Sequence, residues 1–185
     1  MRPNAMKRAG TLCALATTVG TLALAAGASA QTGGATPPGS APPPAAPTNA
    51  TLLPNGRAVA PEGAPQAVID AIVAGNKIRK TRYVWGGGHA SFISRGYDCS
   101  GAVSYVLHAA GVLTSPLPSG PLMSWGAPGL GTWITVYANA GHTYATIAGL
   151  RWDTSAAGFG SSKGVRWRAT MRPAVGYAVR HPDGL

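Results

Sequence analysis

Cys99 is the residue of this chain best placed for covalent chemistry. It lies in residues 97–101, which read Tyr-Asp-Cys-Ser-Gly, where a segment with helical spacing of apolar residues begins. A helix N-terminus stabilises negative charge, and the thiolate is the attacking form of cysteine. Cys99 is therefore a candidate nucleophile. The competing interpretation is a buried thiol that only packs, a common role of cysteine.

A cysteine nucleophile needs a base, and that base needs a partner that orients it. His142 follows Gly141 at the start of a predicted strand, a rigid place from which to face a helix terminus. Asp153 follows across a turn predicted at residues 148–149, so that in a hairpin it returns close to His142. Its carboxylate is then a candidate acceptor for the imidazole N–H. The alternative role of Asp153 is to begin a turn before residues 154–155.

The remaining histidines are weaker candidates. His89 follows three glycines and is a candidate to line the same cleft as Cys99. His108 lies about 180° around the predicted helix from Cys99 and is expected to point away from it. His181 lies near the C-terminus. Asp98 has a local alternative role, because its carboxylate is suited to cap the helix.

The first thirty residues have the pattern of a secretory signal. Residues 2–8 are basic, an apolar run extends from Leu12 to about Ala26, and residues 28–30 read Ala-Ser-Ala. The run is short for a membrane span, so a cleaved signal is predicted, with an uncleaved anchor as the alternative. Cleavage removes Cys13 and leaves Cys99 as the only thiol, which excludes an intrachain disulfide.

Residues 31–65 are rich in Pro, Ala, Gly, Ser and Thr, and nine of these positions are proline. Such a composition buries too little apolar surface to offset the entropy of ordering, so a disordered linker is predicted. The folded part is then residues 66–185, enough for one small domain with one core.

The chain is basic, with fifteen Lys and Arg against five Asp and Glu, a net charge of +10. Without the predicted signal, twelve basic residues remain and the net charge is +7. Contact with an anionic cell-wall surface is one expectation; a basic surface with no specific partner is the alternative. No nucleic-acid motif accompanies the charge. No cofactor, no metal, no lasting membrane insertion and a monomeric state are predicted.

The pattern of elements predicts an α+β domain. Helices are predicted from Gln66 to about Asn76 and from Ser100 to Ala110, and a long loop is predicted over residues 113–131. Predicted strands follow at residues 132–138, 142–148, 150–154 and 177–180. Helices that precede a run of antiparallel strands favour an arrangement in which the helices pack on the sheet.

Two motifs together resemble the NlpC-type cell-wall cysteine peptidases, which have a compact papain-like fold. Residues 83–87 read Tyr-Val-Trp-Gly-Gly, residues 98–101 read Asp-Cys-Ser-Gly, and Gly141-His142 opens a strand. The resemblance covers about residues 65–154. The family's third catalytic position is often a second histidine, and its nearest match here is Asp153.

The resemblance implies a role for each matched residue and a substrate. Cys99 is the nucleophile and His142 the base, Tyr83 is an oxyanion donor, and Asp98 and Ser100 shape the substrate end of the cleft. Trp85 belongs to the same substrate-binding motif. The implied activity is secreted cleavage of peptidoglycan stem peptides. Two alternatives remain open: a non-catalytic wall-binding or structural domain on the same fold, and an amidase or acyltransferase using the same Cys-His pair.

Overall fold

The computed structural model describes residues 49–155 and 164–185. The predicted signal and residues 31–48 of the predicted linker lie outside these residues. The helices are α1 (Gln66–Ile78), α2 (Cys99–Ala109) and α3 (Ser119–Leu122). The strands are β1 (Thr51–Leu52), β2 (Ala58–Val59), β3 (Ala127–Pro128), β4 (Ile134–Ala138), β5 (Thr143–Ile147), β6 (Leu150–Asp153), β7 (Arg166–Arg168) and β8 (Ala178–His181).

The fold is α+β with antiparallel sheets, as predicted. Six strands form the main sheet in the order β3-β8-β4-β5-β6-β7. Strands β5 and β6 form a tight hairpin in which Ala145 pairs with Trp152 and Ile147 with Leu150. Ala148, at the turn, has a φ of 44°, and Gly149 has a φ of 77°. This hairpin carries Asp153 at one end, next to the residue that precedes β5, His142.

Both long helices pack on the sheet through small and branched apolar residues. Val68 and Ile72 of α1 and Val103 and Val106 of α2 are almost fully buried. The Trp152 Nε1–H donates to the Ala102 carbonyl over 3.0 Å, which ties β6 to the first turns of α2. The helix that begins at Cys99 is thereby held against the hairpin that ends at Asp153.

The prediction of a linker that extends to Pro65 is wrong for residues 49–65. Strands β1 and β2 pair there, and Ala50 and Ala58 are buried in the core. The buried side chain of Asn76 fixes β2: its Nδ2 donates to the Ala58 carbonyl over 2.7 Å, and its Oδ1 accepts from the Ala58 N–H over 2.9 Å. The folded domain therefore begins before Gln66.

The chain enters this domain at the turn of the β5–β6 hairpin. The Ala50 N–H donates to the Ala148 carbonyl over 2.7 Å. The Asn49 side chain packs so closely on Gly149 that a Cβ there would overlap it. The N-terminal end of the described chain is thus fixed to the hairpin that adjoins His142.

Three further features differ from the prediction. The predicted loop at residues 113–131 contains α3 and β3, and the last strand is one residue later than predicted. Strand β7 was not predicted and forms an edge of the sheet. Within residues 49–155 and 164–185, none of the helices has the length and apolar character needed to cross a membrane.

Candidate active site

The first turn of α2 is built against the glycine-rich segment that precedes it. The backbones of Tyr83 and Tyr97 form a parallel bridge, and the Asp98 N–H donates to the Gly87 carbonyl over 3.1 Å. Gly101 faces that same carbonyl so closely that a Cβ on it would overlap the oxygen. The two sequence motifs are therefore halves of one structure, and their glycines let the backbones approach.

Asp98 is the N-cap of α2, as its alternative role predicted. Its Oδ1 accepts from the Gly101 N–H over 2.8 Å, and its Oδ2 accepts from the Gly86 N–H over 3.1 Å. The carboxylate thereby satisfies a free backbone donor of the helix and joins the glycine segment to it. Cys99, the first residue of the helix, is positioned by these bonds.

Ser100 and His89 complete the support of this cap. His89 Nε2 lies 2.9 Å from Ser100 Oγ and 2.9 Å from Asp98 Oδ2. Asp98 and Ser100 are only 4% and 2% exposed, so their side chains act on the helix start from within the protein. They shape the site indirectly and present little surface to a substrate. His89 lies near the start of α2, as expected, but its side chain contacts the capping residue Asp98 and its neighbour Ser100.

His142 interacts with both Asp153 and Cys99. His142 Nε2 is 3.0 Å from Asp153 Oδ1, and Cys99 is close enough to the same imidazole to help raise its pKa. Because Asp153 engages Nε2, Nδ1 is the nitrogen left for the sulfur. The structure therefore brings the predicted nucleophile, base and orienting acid together. Cys99 is 8% exposed and Asp153 is 1% exposed.

The electrostatics of these three residues favour an ion pair behind the thiol. Burial alone would lower the pKa of His142, but hydrogen bonds to Asp153 and Cys99 outweigh it and raise that pKa from 6.5 to about 9. Burial would raise the pKa of Asp153, but hydrogen bonds with His142 and Ser155 lower it from 3.8 to about 2. At neutral pH the imidazolium and the carboxylate are both charged.

Asp153 is also the centre of a polar cluster. The N–H of Ser155 donates to its Oδ1 over 2.8 Å, and the Ser155 hydroxyl donates to its Oδ2 over 2.6 Å. Arg151 Nε lies 3.2 Å and Arg172 NH1 lies 3.4 Å from Oδ2. The turn-starting role of Asp153 and its contact with His142 therefore coexist. Two guanidinium groups and two hydrogen-bond donors fix an ionised carboxylate where His142 needs it.

Aromatic rings form the surroundings of His142. Tyr144 stacks on Tyr137 with ring centres 4.6 Å apart, and its ring centre lies 6.4 Å from that of His142. The guanidinium of Arg172 lies 5.2 Å from the ring centre of Tyr144 and 5.5 Å from that of Tyr177. Arg172 thus bridges the aromatic rings and Asp153, and cation–π contact stabilises it there.

The aromatic residues of the glycine segment face outward. Tyr83 is 37% exposed, and Trp85 is 83% exposed. Burial, with the negative charge that Cys99 and Asp98 can carry, raises the pKa of the Tyr83 phenol, so it keeps its proton at neutral pH. Tyr83 therefore retains a proton that it can donate, and it is close enough to Cys99 to be affected by its charge. Trp85 offers a free ring surface beside it.

The other histidines lie apart from the thiol. His108 stacks on Phe92 with ring centres 3.8 Å apart, and its Nδ1 lies 2.9 Å from the Leu113 carbonyl oxygen. His181 Nδ1 lies 3.2 Å from the Gly129 carbonyl oxygen. In the part of the chain that the structure describes, no three His, Cys, Asp or Glu side chains are grouped to hold a metal ion.

Sequence reasoning missed the arginines of this site. Arg151 is two residues before Asp153 on one strand, so the alternation of side chains could have placed both on one face. Arg172 has no comparable sequence pattern, because it reaches Asp153 from a separate segment. For Ser155 the sequence indicates only a place in a turn.

No protein-family model matches the chain, and no curated protein matches it either. The geometry of Cys99, His142 and Asp153 therefore carries the functional conclusion.

Proposed function

We propose that this protein is a secreted cysteine peptidase of the NlpC type, with a papain-like fold, that hydrolyses stem peptides of bacterial peptidoglycan. The observation that supports it most is the interaction of His142 with both Cys99 and the buried, ionised Asp153. A helix that begins with the cysteine and packs on an antiparallel sheet beside the histidine is the arrangement this family would require. A purely structural domain has no need for an acid held ionised behind an imidazole.

The proposed reaction uses His142 twice, first as an acid and then as a base. The Cys99 thiolate attacks the carbonyl carbon of the scissile amide and forms a tetrahedral oxyanion, which the backbone N–H of Cys99 and the Tyr83 hydroxyl stabilise. Such donors typically contribute about 3 kcal/mol each to catalysis. The oxyanion collapses, the C–N bond breaks, and the His142 imidazolium gives its proton to the leaving amine. Water, deprotonated by His142, then attacks the thioester and releases the acid and the thiol.

The other residues of the site orient the catalytic pair or contact the substrate. Asp153 orients His142, while Asp98 and Ser100 hold the start of α2, where Cys99 lies. Trp85 is the exposed ring closest in sequence to Tyr83, and we assign it to substrate contact. The predicted signal and basic charge suit a protein that acts outside the cytoplasm on an anionic wall.

Incubation with purified muropeptides, followed by mass spectrometry, tests this function. We expect wild-type protein to shorten the stem peptides and Cys99→Ala to leave them intact. Cleavage between glycan and peptide would instead identify an amidase, and transfer of the acyl group to an added amine would identify an acyltransferase. Identical profiles for the two proteins would leave the non-catalytic wall-binding domain as the explanation.

A further inference from the structure

A cavity of about 440 Å³ lies at the end of α1 and beside the edge strand β7. Four of its lining side chains are cationic, and a fifth is an amide. The cations are Arg79, Lys80, Arg82 and Arg166, and the amide is that of Asn55. Its volume is within the usual range of small-molecule sites.

The positive charge in this cavity has no acidic counterpart among the lining residues that the structure describes. Only five acidic residues occur in the whole chain, and Asp98 and Asp153 are engaged at the candidate active site. Like charges that surround a concave surface reinforce one another, because the protein wall excludes water and focuses the field. The cavity is therefore a strongly attractive place for an anion.

Arg79 is bonded to the end of α1, whereas Lys80 and Arg82 are exposed. Arg79 NH1 donates to the Asn76 carbonyl over 2.6 Å, as expected of a basic residue at the C-terminal end of a helix. Its Nε is buried and has no hydrogen-bond partner. Lys80 and Arg82 are exposed, and their side chains form no ion pair with the described residues. They are available to a ligand.

We propose that this cavity binds a ligand carrying two or more phosphate groups. Phosphate has more acceptor oxygens and more charge than a carboxylate, and several Arg and Lys donors that converge exceed what one carboxylate can engage. The cavity volume leaves room for more than one such group. A soluble oligophosphate and a phosphodiester-linked polyol chain both have this chemistry.

The location connects the phosphate site with the candidate active site. Arg82 directly precedes Tyr83, and Arg166 pairs with Asp153 between strands β7 and β6. The cavity lining thus includes the sequence neighbour of Tyr83 and the cross-strand neighbour of Asp153. The proposal goes beyond the peptidase and does not depend on it, because it concerns binding alone.

Calorimetric titration of the full protein tests the site. The phosphate probes are tripolyphosphate and a synthetic glycerol-phosphate hexamer; citrate, a tricarboxylate, and a thymidine hexanucleotide are the comparison ligands. We expect a phosphate probe to bind at least tenfold more tightly than citrate in about 0.15 M salt, where weak surface attraction is screened. The tighter of the two phosphate probes identifies the source of the ligand.

Two matched double variants show where the ligand binds. Lys80→Gln/Arg82→Gln removes two exposed cations of the cavity, and Lys77→Gln/Arg95→Gln removes two exposed cations outside its lining. We expect at least tenfold weaker binding for the first pair and less than a twofold change for the second. Unfolding midpoints equal to that of the wild type establish that both variants are folded.

Three results would overturn the proposal: citrate binding as tightly as the phosphates, equal losses in the two variants, or no saturable binding. Tighter binding of a thymidine hexanucleotide than of the glycerol-phosphate hexamer would also overturn it, since a base would then be recognised. Phosphate binding is also measured with Cys99→Ala, which is expected to bind phosphate without cleaving peptides. This variant therefore tests the phosphate site independently of the peptidase activity.

Discussion

Replacement of Asp153 by Asn removes the charge behind His142 while it keeps the side-chain volume. The amide oxygen of Asn still accepts the Nε2–H of His142, so the imidazole remains oriented. The negative charge that favours the imidazolium is lost. We therefore expect the substitution to change the titration of His142 more than its position.

The size of the effect follows from the shift that the structure produces. The change in the pKa of His142 from 6.5 to about 9 corresponds to about 3 kcal/mol. Asp153 and Cys99 together overcome the opposing effect of burial. Loss of the Asp153 charge should therefore lower the pKa of His142 by at least about one unit, or about 1.4 kcal/mol. At pH 9 the protonated fraction then falls from about a half to about a tenth.

The substitution also has a cost in stability, which the assay must take into account. Arg151 is 5% exposed and lies 3.2 Å from the Asp153 carboxylate. A buried cation that loses its partner typically destabilises a protein by about 3–5 kcal/mol. Urea unfolding of Asp153→Asn should show a loss of this order. Kinetic comparisons should then be made at a temperature where both proteins are fully folded.

Titration of the His142 imidazole by NMR measures the shift without any substrate. In parallel, alkylation of Cys99 by iodoacetamide reports the reactivity of the thiol, and we expect the rate to fall in Asp153→Asn because the imidazolium beside the thiol is less favoured. Asp183→Asn is the matched control, because Asp183 is exposed and lies outside the site. The reasoning is refuted if His142 titrates at the same pH in Asp153→Asn and in wild-type protein.

The remaining predictions concern the fold and its dependence on pH. Asn76→Ala should destabilise the domain by about 3 kcal/mol in urea unfolding, because three buried groups lose hydrogen bonds to its amide; a loss below about 1 kcal/mol would contradict this. Gly101→Ala should slow Cys99 alkylation strongly, because the added Cβ overlaps the Gly87 carbonyl and displaces the helix start; an unchanged rate argues against this contact. Because its pKa is raised, His142 stabilises the fold fully below pH 6.5, and this stabilisation is lost as the pH rises through about 9. Because its pKa is lowered, Asp153 stabilises the fold above pH 3.8, and its stabilisation is lost as the pH falls through about 2. Comparing urea midpoints of wild type and His142→Gln should therefore show the largest difference near pH 5 and a smaller one at pH 10.

The features that could be predicted from the sequence depend on neighbours along the chain. Helices α1 and α2 follow from the spacing of apolar residues, and the cap at Asp98 follows from its position before Cys99. The contact of His142 with Asp153 depends on one short hairpin, so a correct turn at residues 148–149 was enough to bring the two together.

The missed features depend on distant parts of the chain. The composition of residues 49–65 predicts disorder, yet β2 is ordered because the amide of Asn76 bonds both of its backbone groups at Ala58. Arg172 approaches Asp153 only because the segment between β7 and β8 returns to the hairpin. No local pattern encodes either contact, since each depends on the completed tertiary structure.

The attachment of Asn49 and Ala50 to the turn of the β5–β6 hairpin gives the domain a mechanical property. Tension on the chain that precedes Asn49 is delivered first to Ala148 and Gly149. The same hairpin ends at Asp153 and is preceded by His142. A pull on the chain at Asn49 would therefore load the hairpin that carries Asp153 and adjoins His142.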